Sequence, residues 1–333
     1  MLEVKEEQVA QAADGDFQAP VRWRSKDLLD TDTLTPAEIE LIMETAEAMH
    51  EVRTRPVGKV ATLRGATVTT LFYEQSTRTR ASFEVAAKAL GADVVNLTAM
   101  GSSVEKGESL IDTVRTLEAI GADVIVMRHA ASGAPYLAAR HTGASVINGG
   151  DGTHAHPTQA LLDLFTIRRH IGSNLEGRRV VIVGDVLHSR VARSNVWTLM
   201  AAGAEVVLCG PATLLPRTLA ARGERGSCTV THDLNEAIRD ADVVMALRIQ
   251  KERQEKGLIP SMREYIRGYQ VNASRLAQAR PGALVMHPGP MNEGIEVSAE
   301  IAHGVASVIE EQVTNGVAVR MAVLYLLAAG RAA

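Results

Sequence analysis

Residues 68–91 read VTTLFYEQSTRTRASFEVAAKALG, and this stretch joins the two patterns that decide the fold. Its first five residues are apolar or β-branched, which is typical of a buried strand. From Arg78 onward the apolar side chains recur at helical spacing as far as Gly91, a residue type that commonly ends helices. The stretch therefore predicts a strand that leads into a helix, which is the repeating unit of a parallel α/β sheet.

The polar residues between that strand and that helix are suited to an anion. Ser76, Thr77 and Thr79 contribute hydroxyl groups, and Arg78 and Arg80 contribute guanidinium groups. Backbone N–H groups lack partners at a helix N-terminus, and the helix dipole favours negative charge there. The same residues also fit an ordinary helix cap followed by two solvated arginines. Taken alone, the stretch predicts a phosphate site no more strongly than a cap.

The composition is that of a globular enzyme. At 333 residues the chain is long enough for two domains, and its 3% aromatic content favours close packing of helices on sheets. A net charge of −4 gives no general attraction to nucleic acid or to an acidic membrane. No apolar run reaches the roughly 20 residues of a membrane span, and the N-terminus lacks the order of a signal peptide. We therefore expect a cytoplasmic protein.

Neither a disulfide framework, a metal nor a cofactor is expected from the sequence. Cys209 and Cys228 are too few for such a framework and have no metal-type spacing. His154 and His156 lack a third ligand at a characteristic distance along the chain. A possible nucleotide-binding strand ends at Gly184, but the further glycines of a dinucleotide-binding turn are missing after it.

Apolar strand patterns alternate with helical patterns in two successive series. Residues 25–170 and 171–307 each predict a parallel sheet flanked by helices, and so two similar α/β domains. Residues 1–24 have no periodicity and predict a mobile leader, whereas residues 308–333 predict an apolar helix docked back across the domains. Ligands of such sheets collect beyond the carboxyl ends of the strands, so we expect the site in the cleft between the domains.

Chemically capable side chains stand at the predicted strand ends. Arg128 ends an apolar strand, where an unpaired cation would be costly, so we expect a partner anion from the protein or from a substrate. Arg248 and Gln250 lie two residues apart, on the same side of an extended backbone, and Arg190 is a weaker candidate of the same kind. Lys106 lies in a polar loop, so its side chain fits exposure to solvent as well as it fits contact with a ligand.

Six motifs, in this order, resemble those of the aspartate and ornithine carbamoyltransferases. They are Ser-Thr-Arg-Thr-Arg at 76–80, Lys-Gly-Glu at 106–108, Met-Arg-His at 127–129, His-Pro-Thr-Gln at 156–159, Arg-Ile-Gln at 248–250 and His-Pro-Gly-Pro at 287–290. The resemblance spans residues 25–333. The last two motifs resemble those of the aspartate-specific branch, since the ornithine enzymes carry Ser-Met-Gly and His-Cys-Leu-Pro segments there.

The resemblance implies a role for each matched residue. The phosphate of carbamoyl phosphate would be bound by Ser76, Thr77, Arg78 and Thr79. Its carbonyl oxygen would be contacted by Thr79, Arg128 and His156, and its NH₂ group by Gln159 and the backbone carbonyls of Pro288 and Gly289. Aspartate would be bound by Arg190, Arg248 and Gln250. A neighbouring subunit would add Ser102 and Lys106, and the catalytic residues would be Arg78, Thr79, Lys106, Arg128 and His156.

The implied reaction is carbamoyl transfer to L-aspartate, the committed step of de novo pyrimidine biosynthesis. Two alternatives stay open: transfer to ornithine or another amino acid, and a non-catalytic protein that binds an anion or serves in an assembly. The presence of Lys106, Arg128 and His156 together argues against the second alternative. The resemblance also implies a homotrimer with shared active sites, to which regulatory chains or a dihydroorotase could be added.

Overall fold

The structure is a computed structural model that describes residues 23–98, 108–250 and 258–331. Most of the predicted leader, residues 1–22, lies outside the described residues, as do Ser102 and Lys106. The described residues form two parallel sheets, one in each half of the sequence, with helices against them. The predicted fold class, two α/β units that each contain a parallel sheet flanked by helices, is confirmed.

The first half alternates helices and strands as the sequence predicts. Its helices are α1 (Pro36–Thr54), α2 (Thr77–Ala89), α3 (Leu110–Ile120), α4 (Ala134–Ala139) and α5 (Pro157–Ile171). Its strands are β1 (Thr67–Phe72), β2 (Asp93–Thr98), β3 (Val124–His129) and β4 (Ser145–Asp151). All pair in parallel in the order β2-β1-β3-β4, so the carboxyl ends of the four strands lie along one edge.

The second half builds a sheet in the order β10-β9-β5-β6-β8-β7. Its strands are β5 (Arg179–Val183), β6 (Glu205–Cys209), β7 (Ala221–Arg222), β8 (Ser227–Thr231), β9 (Val243–Ala246) and β10 (Leu284–Met286). Its helices are α6 (Arg190–Ala201), α7 (Leu234–Ile238), α8 (Met262–Tyr269), α9 (Ala273–Leu276) and α10 (Ala299–Ala302). The antiparallel edge strand β7 was not predicted, because two residues are too short to carry a period.

The start of α1 shows how local sequence sets a helix boundary. The Thr35 hydroxyl accepts a hydrogen bond from the Glu38 backbone N–H at 3.2 Å. In return, the Glu38 carboxylate accepts one from the Thr35 N–H at 2.9 Å, and Pro36 occupies the first helical position. The predicted capping box is therefore confirmed, and it satisfies backbone donors that helix ends leave without partners.

The last helix, α11 (Ile309–Arg331), packs against α1, α2, α5 and β10, so it touches both halves of the molecule. One continuous apolar core includes Ile42 of α1, Phe83 of α2, Ile182 of β5 and Leu324 of α11. The two halves of the molecule therefore share this core. Within the described part of the chain, no helix combines the length and the apolar character needed to cross a membrane.

Ile42 tests this shared core, because it is fully buried where α1 meets α11. We expect Ile42→Ala to lower the free energy of unfolding by about 2–5 kcal/mol, since it removes apolar contacts and leaves a cavity. Ile120 is a matched control: its side chain is 75% exposed, so Ile120→Ala should change stability by less than about 0.5 kcal/mol. Urea unfolding of both variants measures this difference, and equal losses would contradict it.

Candidate active site

The carboxyl ends of the two sheets meet at a cavity of about 720 Å³. Twelve of the fourteen residues predicted for the site line it: Ser76, Thr77, Arg78, Thr79, Arg128, His156, Gln159, Arg190, Arg248, Gln250, Pro288 and Gly289. The other two, Ser102 and Lys106, lie outside the described residues. Arg80 instead lines a second cavity of about 340 Å³, together with Tyr73 and Thr98.

The start of α2 is not an ordinary capped helix end. Ser76 occupies the N-cap position, but its side chain makes no capping hydrogen bond. This contrasts with Thr35 of α1, which does cap its helix. The interpretation of Ser76 as a helix cap is therefore wrong, and Thr77 to Thr79, in the first turn of α2, line the cavity.

Glu74 supplies the anion that the sequence analysis expected beside Arg128. Its Oε2 lies 2.9 Å from Nη2 of Arg190 and 3.4 Å from Nε of Arg128. Each arginine also donates to a backbone carbonyl near the end of β4, Arg128 to Gly149 at 3.3 Å and Arg190 to Gly152 at 3.2 Å. Two guanidinium groups from different halves of the chain are thus held side by side by one carboxylate.

Two glycines allow the backbone to approach these arginines closely. Gly150 has φ +114°, and a Cβ added there would lie 3.0 Å from the guanidinium of Arg190 and 3.2 Å from that of Arg128. Gly289 has φ +61°, and a Cβ there would overlap the guanidinium of Arg78. Both positions therefore need glycine for conformation and for space. The turn at Gly289 brings the second half of the chain into contact with Arg78 of the first half.

His156 is a buried, neutral imidazole at the start of α5. Burial lowers the pKa of His156 well below its usual 6.5, and Arg128 and Arg190 lower it further. Its backbone N–H donates to the Ser194 hydroxyl at 2.9 Å, and its Nδ1 has no hydrogen-bond partner among the described residues. A neutral imidazole can donate one hydrogen bond and accept another. It therefore suits an uncharged carbonyl group better than a phosphate.

His154 does not join His156 in a ligand cluster. Its ring instead lies between two carboxylates, with Nε2 3.3 Å from Asp30 and Nδ1 3.1 Å from Asp151. Across residues 23–98, 108–250 and 258–331, no group of three or more His, Cys, Asp or Glu side chains has an arrangement that could hold a metal ion. His154 thus stabilises the segment that follows β4.

Sequence reasoning missed three charged residues near this site. Glu74 lies in the opening stretch itself, and Asp163 and Arg320 are single charges within apolar helical runs. Arg320 is buried and donates to the Ser82 hydroxyl at 2.9 Å, and burial lowers its pKa to about 10. A lone charge in an apolar run was the available signal, because such a group must find a partner.

Two family models match most of the chain. Residues 26–169 match the carbamoyl-P binding domain of the aspartate/ornithine carbamoyltransferases. Residues 176–327 match the Asp/Orn binding domain of the same enzymes. The chain belongs to the aspartate/ornithine carbamoyltransferase family.

Curated members of this family are similar to the chain over nearly its whole length. The aspartate carbamoyltransferase catalytic subunit of Roseiflexus sp. (strain RS-1) is 60% identical over 306 residues, which cover 92% of this chain and 96% of the relative. The subunit of the same name from Dehalococcoides mccartyi (strain CBDB1) is 55% identical over 305 residues, covering 91% and 92% of the two chains.

Solved structures from both branches of the family share the fold. Aspartate transcarbamoylase from Trypanosoma cruzi, in complex with carbamoyl phosphate and aspartate, has a TM-score of 0.81 at 30% identity, covering 91% of this chain and 97% of that one. Ornithine carbamoyltransferase from Pyrococcus furiosus also has a TM-score of 0.81, at 31% identity, with coverage of 92% and 98%. The carbamoyltransferase fold alone therefore does not identify the acceptor amino acid.

His287 offers a pH test of burial at the site. Burial lowers its pKa to about 3, with further contributions from Arg78 and Arg248. The unfolded chain binds this proton near pH 6.5 and the folded chain does not, so acidification below that pH favours unfolding. Between pH 7.5 and 5, His287→Asn should lose about 2 kcal/mol less stability than the unsubstituted chain. Urea titrations at both pH values measure the difference, and parallel losses would contradict the burial argument.

Proposed function

We propose that the chain transfers the carbamoyl group of carbamoyl phosphate to the amine of L-aspartate, giving N-carbamoyl-L-aspartate and phosphate. The observation that carries this proposal is the convergence of two anion-binding sets in one cavity. Arg78 and the start of α2 form one set, and Arg190 with Arg248 forms the other. Relatives that are 55–60% identical and are named aspartate carbamoyltransferase catalytic subunits support the same assignment.

Carbamoyl phosphate binds with its phosphate at the N-terminus of α2. The hydroxyls of Ser76, Thr77 and Thr79, the guanidinium of Arg78 and the first backbone N–H groups of the helix all suit phosphate oxygens. The carbonyl oxygen of the same substrate lies toward Arg128 and His156. Arg128 provides charge, and the neutral imidazole provides a donor that can strengthen its hydrogen bond as the oxygen becomes negative.

Aspartate binds through Arg190, Arg248 and Gln250. Arginine forks pair with carboxylates in two-pronged geometry, and aspartate has two carboxylates. Ornithine has only one carboxylate and carries an additional amine, whose charged form the arginines would repel. The positive charge of Arg190 and Arg248 therefore favours aspartate, although the fold is shared with the ornithine enzymes.

The reaction is attack by the uncharged amine of aspartate on the carbamoyl carbon. A C–N bond forms, the C–O bond to phosphate breaks, and the departing phosphate can accept the amine proton, so no side chain is assigned as general base. Positioning two mutually repelling anions supplies part of the rate increase. Stabilisation of the tetrahedral oxyanion by Thr79, Arg128 and His156 supplies the rest.

Residues 25–170 act as the carbamoyl-phosphate domain and residues 171–307 as the aspartate domain, in agreement with the descriptions of the two matching family models. The active form is a homotrimer in which Ser102 and Lys106 of a neighbouring subunit complete the site. The cytoplasm is the proposed location, because Cys209 and Cys228 are both buried thiols that need no oxidising compartment. Regulatory chains or a dihydroorotase are proposed as further partners of the trimer.

An acceptor assay tests the proposed reaction. Purified protein is given carbamoyl phosphate with either L-aspartate or L-ornithine, and both carbamoylated product and phosphate are measured. We expect equal amounts of N-carbamoyl-L-aspartate and phosphate with aspartate, and no carbamoylated product with ornithine. Turnover with ornithine alone would identify an ornithine enzyme, and phosphate binding without turnover would identify a non-catalytic protein.

Arg78 tests the phosphate assignment. We expect Arg78→Ala to lower turnover by at least a hundredfold to a thousandfold, the typical cost of removing one oxyanion donor from a site. The fold should stay intact because Arg78 faces the cavity and not the core. Arg64, an exposed arginine in the segment before β1, is the control, and Arg64→Ala should retain near-normal activity. Near-normal turnover of folded Arg78→Ala protein would refute the assignment.

A subunit-mixing experiment tests the shared site. Arg78→Ala and Lys106→Ala proteins should each be inactive, because each site would lack one of its two components. After subunit exchange, some sites would combine unaltered Arg78 from one chain with unaltered Lys106 from another, so activity should return. Lack of recovery after exchange has been verified with differently tagged chains would contradict a site shared between subunits.

A further inference from the structure

Asp163 is a fully buried carboxylate that the reaction described above does not use. It lies on α5, one helical turn after Gln159, in the otherwise apolar run Ala160 to Phe165. Its side chain is 0% exposed, and burial raises its pKa to about 6. In each of the side-chain hydrogen bonds described below, this carboxylate is the acceptor.

Three amide side chains from three helices donate to this carboxylate. Gln159 of α5 and Gln312 of α11 both donate to Oδ1, at 2.9 Å and 2.7 Å. Asn195 of α6 donates to Oδ2 at 2.9 Å. These three donors satisfy a buried charge that would otherwise be very costly. The carboxylate also joins helices from both halves of the chain.

An acceptor-only group determines which end of each amide faces it. Gln159 must turn its NH₂ toward Asp163, which leaves its carbonyl oxygen as the polar atom available on the side of the cavity. Gln312 must do the same, and its Oε1 accepts the backbone N–H of His287 at 3.0 Å. Asp163 therefore controls two amide orientations with one oxygen atom.

The orientation of Gln312 affects the other side of the cavity, where His287 and the turn after it lie. His287 precedes the turn of Pro288 and Gly289, and its Nδ1 accepts the Gly289 N–H at 2.8 Å. The turn is thus held from behind by the chain of hydrogen bonds from Asp163 through Gln312 to His287. Its carbonyl groups, like the Gln159 carbonyl, are hydrogen-bond acceptors. An NH₂ group of a ligand needs acceptors of this kind.

We propose that Asp163 is a positioning residue, which orients Gln159 directly and the turn of Pro288 and Gly289 through Gln312, so that both sides of the cavity present acceptors to the carbamoyl NH₂ group. The inference rests on the proposed carbamoyl transfer. It assigns to Asp163 a role that does not require contact with the substrate. The acceptor position of its Oδ1 is what matters, not its negative charge.

The main test compares Asp163→Leu with Asp163→Asn. Leucine removes the acceptor for Gln159 and Gln312, and kcat/KM for carbamoyl phosphate should fall roughly tenfold or more, as expected when buried amides lose a partner. Asparagine keeps an oxygen in the Oδ1 position. Asn195 Oδ1, which has no hydrogen-bond partner among the described residues, can then turn toward the new NH₂ group. The Asn variant should stay within about threefold of the unsubstituted chain in kcat/KM.

Inorganic phosphate separates a positioning role from a general structural role. Phosphate has no NH₂ group, so its dissociation constant, measured by calorimetry, should change less than about threefold in Asp163→Leu. Thr166→Val is the matched control, because it breaks another buried hydrogen bond between α5 and α11, the 3.0 Å bond from Asn315. It should lower stability without lowering kcat/KM for carbamoyl phosphate.

Gln312→Met carries the test if Asp163→Leu does not fold. It removes the link to His287 but leaves Asp163 with its donors Gln159 and Asn195. We expect a severalfold loss in kcat/KM for carbamoyl phosphate with phosphate binding unchanged. Unchanged kcat/KM in this variant would overturn the inference, as would parallel losses of phosphate and carbamoyl phosphate binding.

Two further results would also overturn it, and both are distinct from failure of the proposed function. If Asp163→Asn loses as much activity as Asp163→Leu, the charge of the carboxylate matters and not its acceptor position. If Asp163→Leu is as active as the unsubstituted chain, Asp163 has no positioning role. By contrast, an unsubstituted chain that forms no carbamoylated product would refute carbamoyl transfer itself, and this inference with it.

Discussion

Arginines gathered at one cavity repel one another, and the site depends on the carboxylate that holds them together. Glu74 follows β1, Arg128 is the penultimate residue of β3 and Arg190 begins α6, so one carboxylate joins three elements and both halves of the chain. At low local dielectric, repulsion between unit charges a few ångströms apart is large. A carboxylate between them offsets much of that repulsion before any anionic ligand arrives.

Features encoded within a few consecutive residues were predictable from the sequence. The passage from β1 to α2, the capping box at Thr35 and the proline-initiated α5 each depend on neighbouring residues, and each was expected. Six ordered motifs contain eleven of the twelve predicted residues that the fold brings to one cavity, and Arg190 is the one outside them. The motifs predict the site because they follow parallel strands, whose carboxyl ends lie at one edge of the sheet. Residues far apart in the sequence are therefore close in space.

Features that depend on distant partners were not predictable. Glu74 meets Arg190 across 116 positions, and Gln312 meets Asp163 across 149. No local period encodes such pairs. The sequence contained a weaker signal in Asp163 and Arg320, each a single charge within an apolar helix. Such a charge predicts a buried partner but does not identify the partner residue. The bond from Gln312 to Asp163 and the bond from Arg320 to Ser82 both depend on the packing of α11 against α2 and α5.

The position of α11 has a consequence for how the molecule is made. Helix α11 supplies Gln312 and Arg320 to the interior of the first half, yet it is synthesised about 140 residues after α5 ends. At about 5–20 residues per second, synthesis of α11 begins roughly 7–28 seconds after α5 has been made. Until α11 has been made, the Asp163 carboxylate lacks its donor Gln312. The hydrogen bonds inside the first half of the chain are therefore completed only after the last helix has been synthesised.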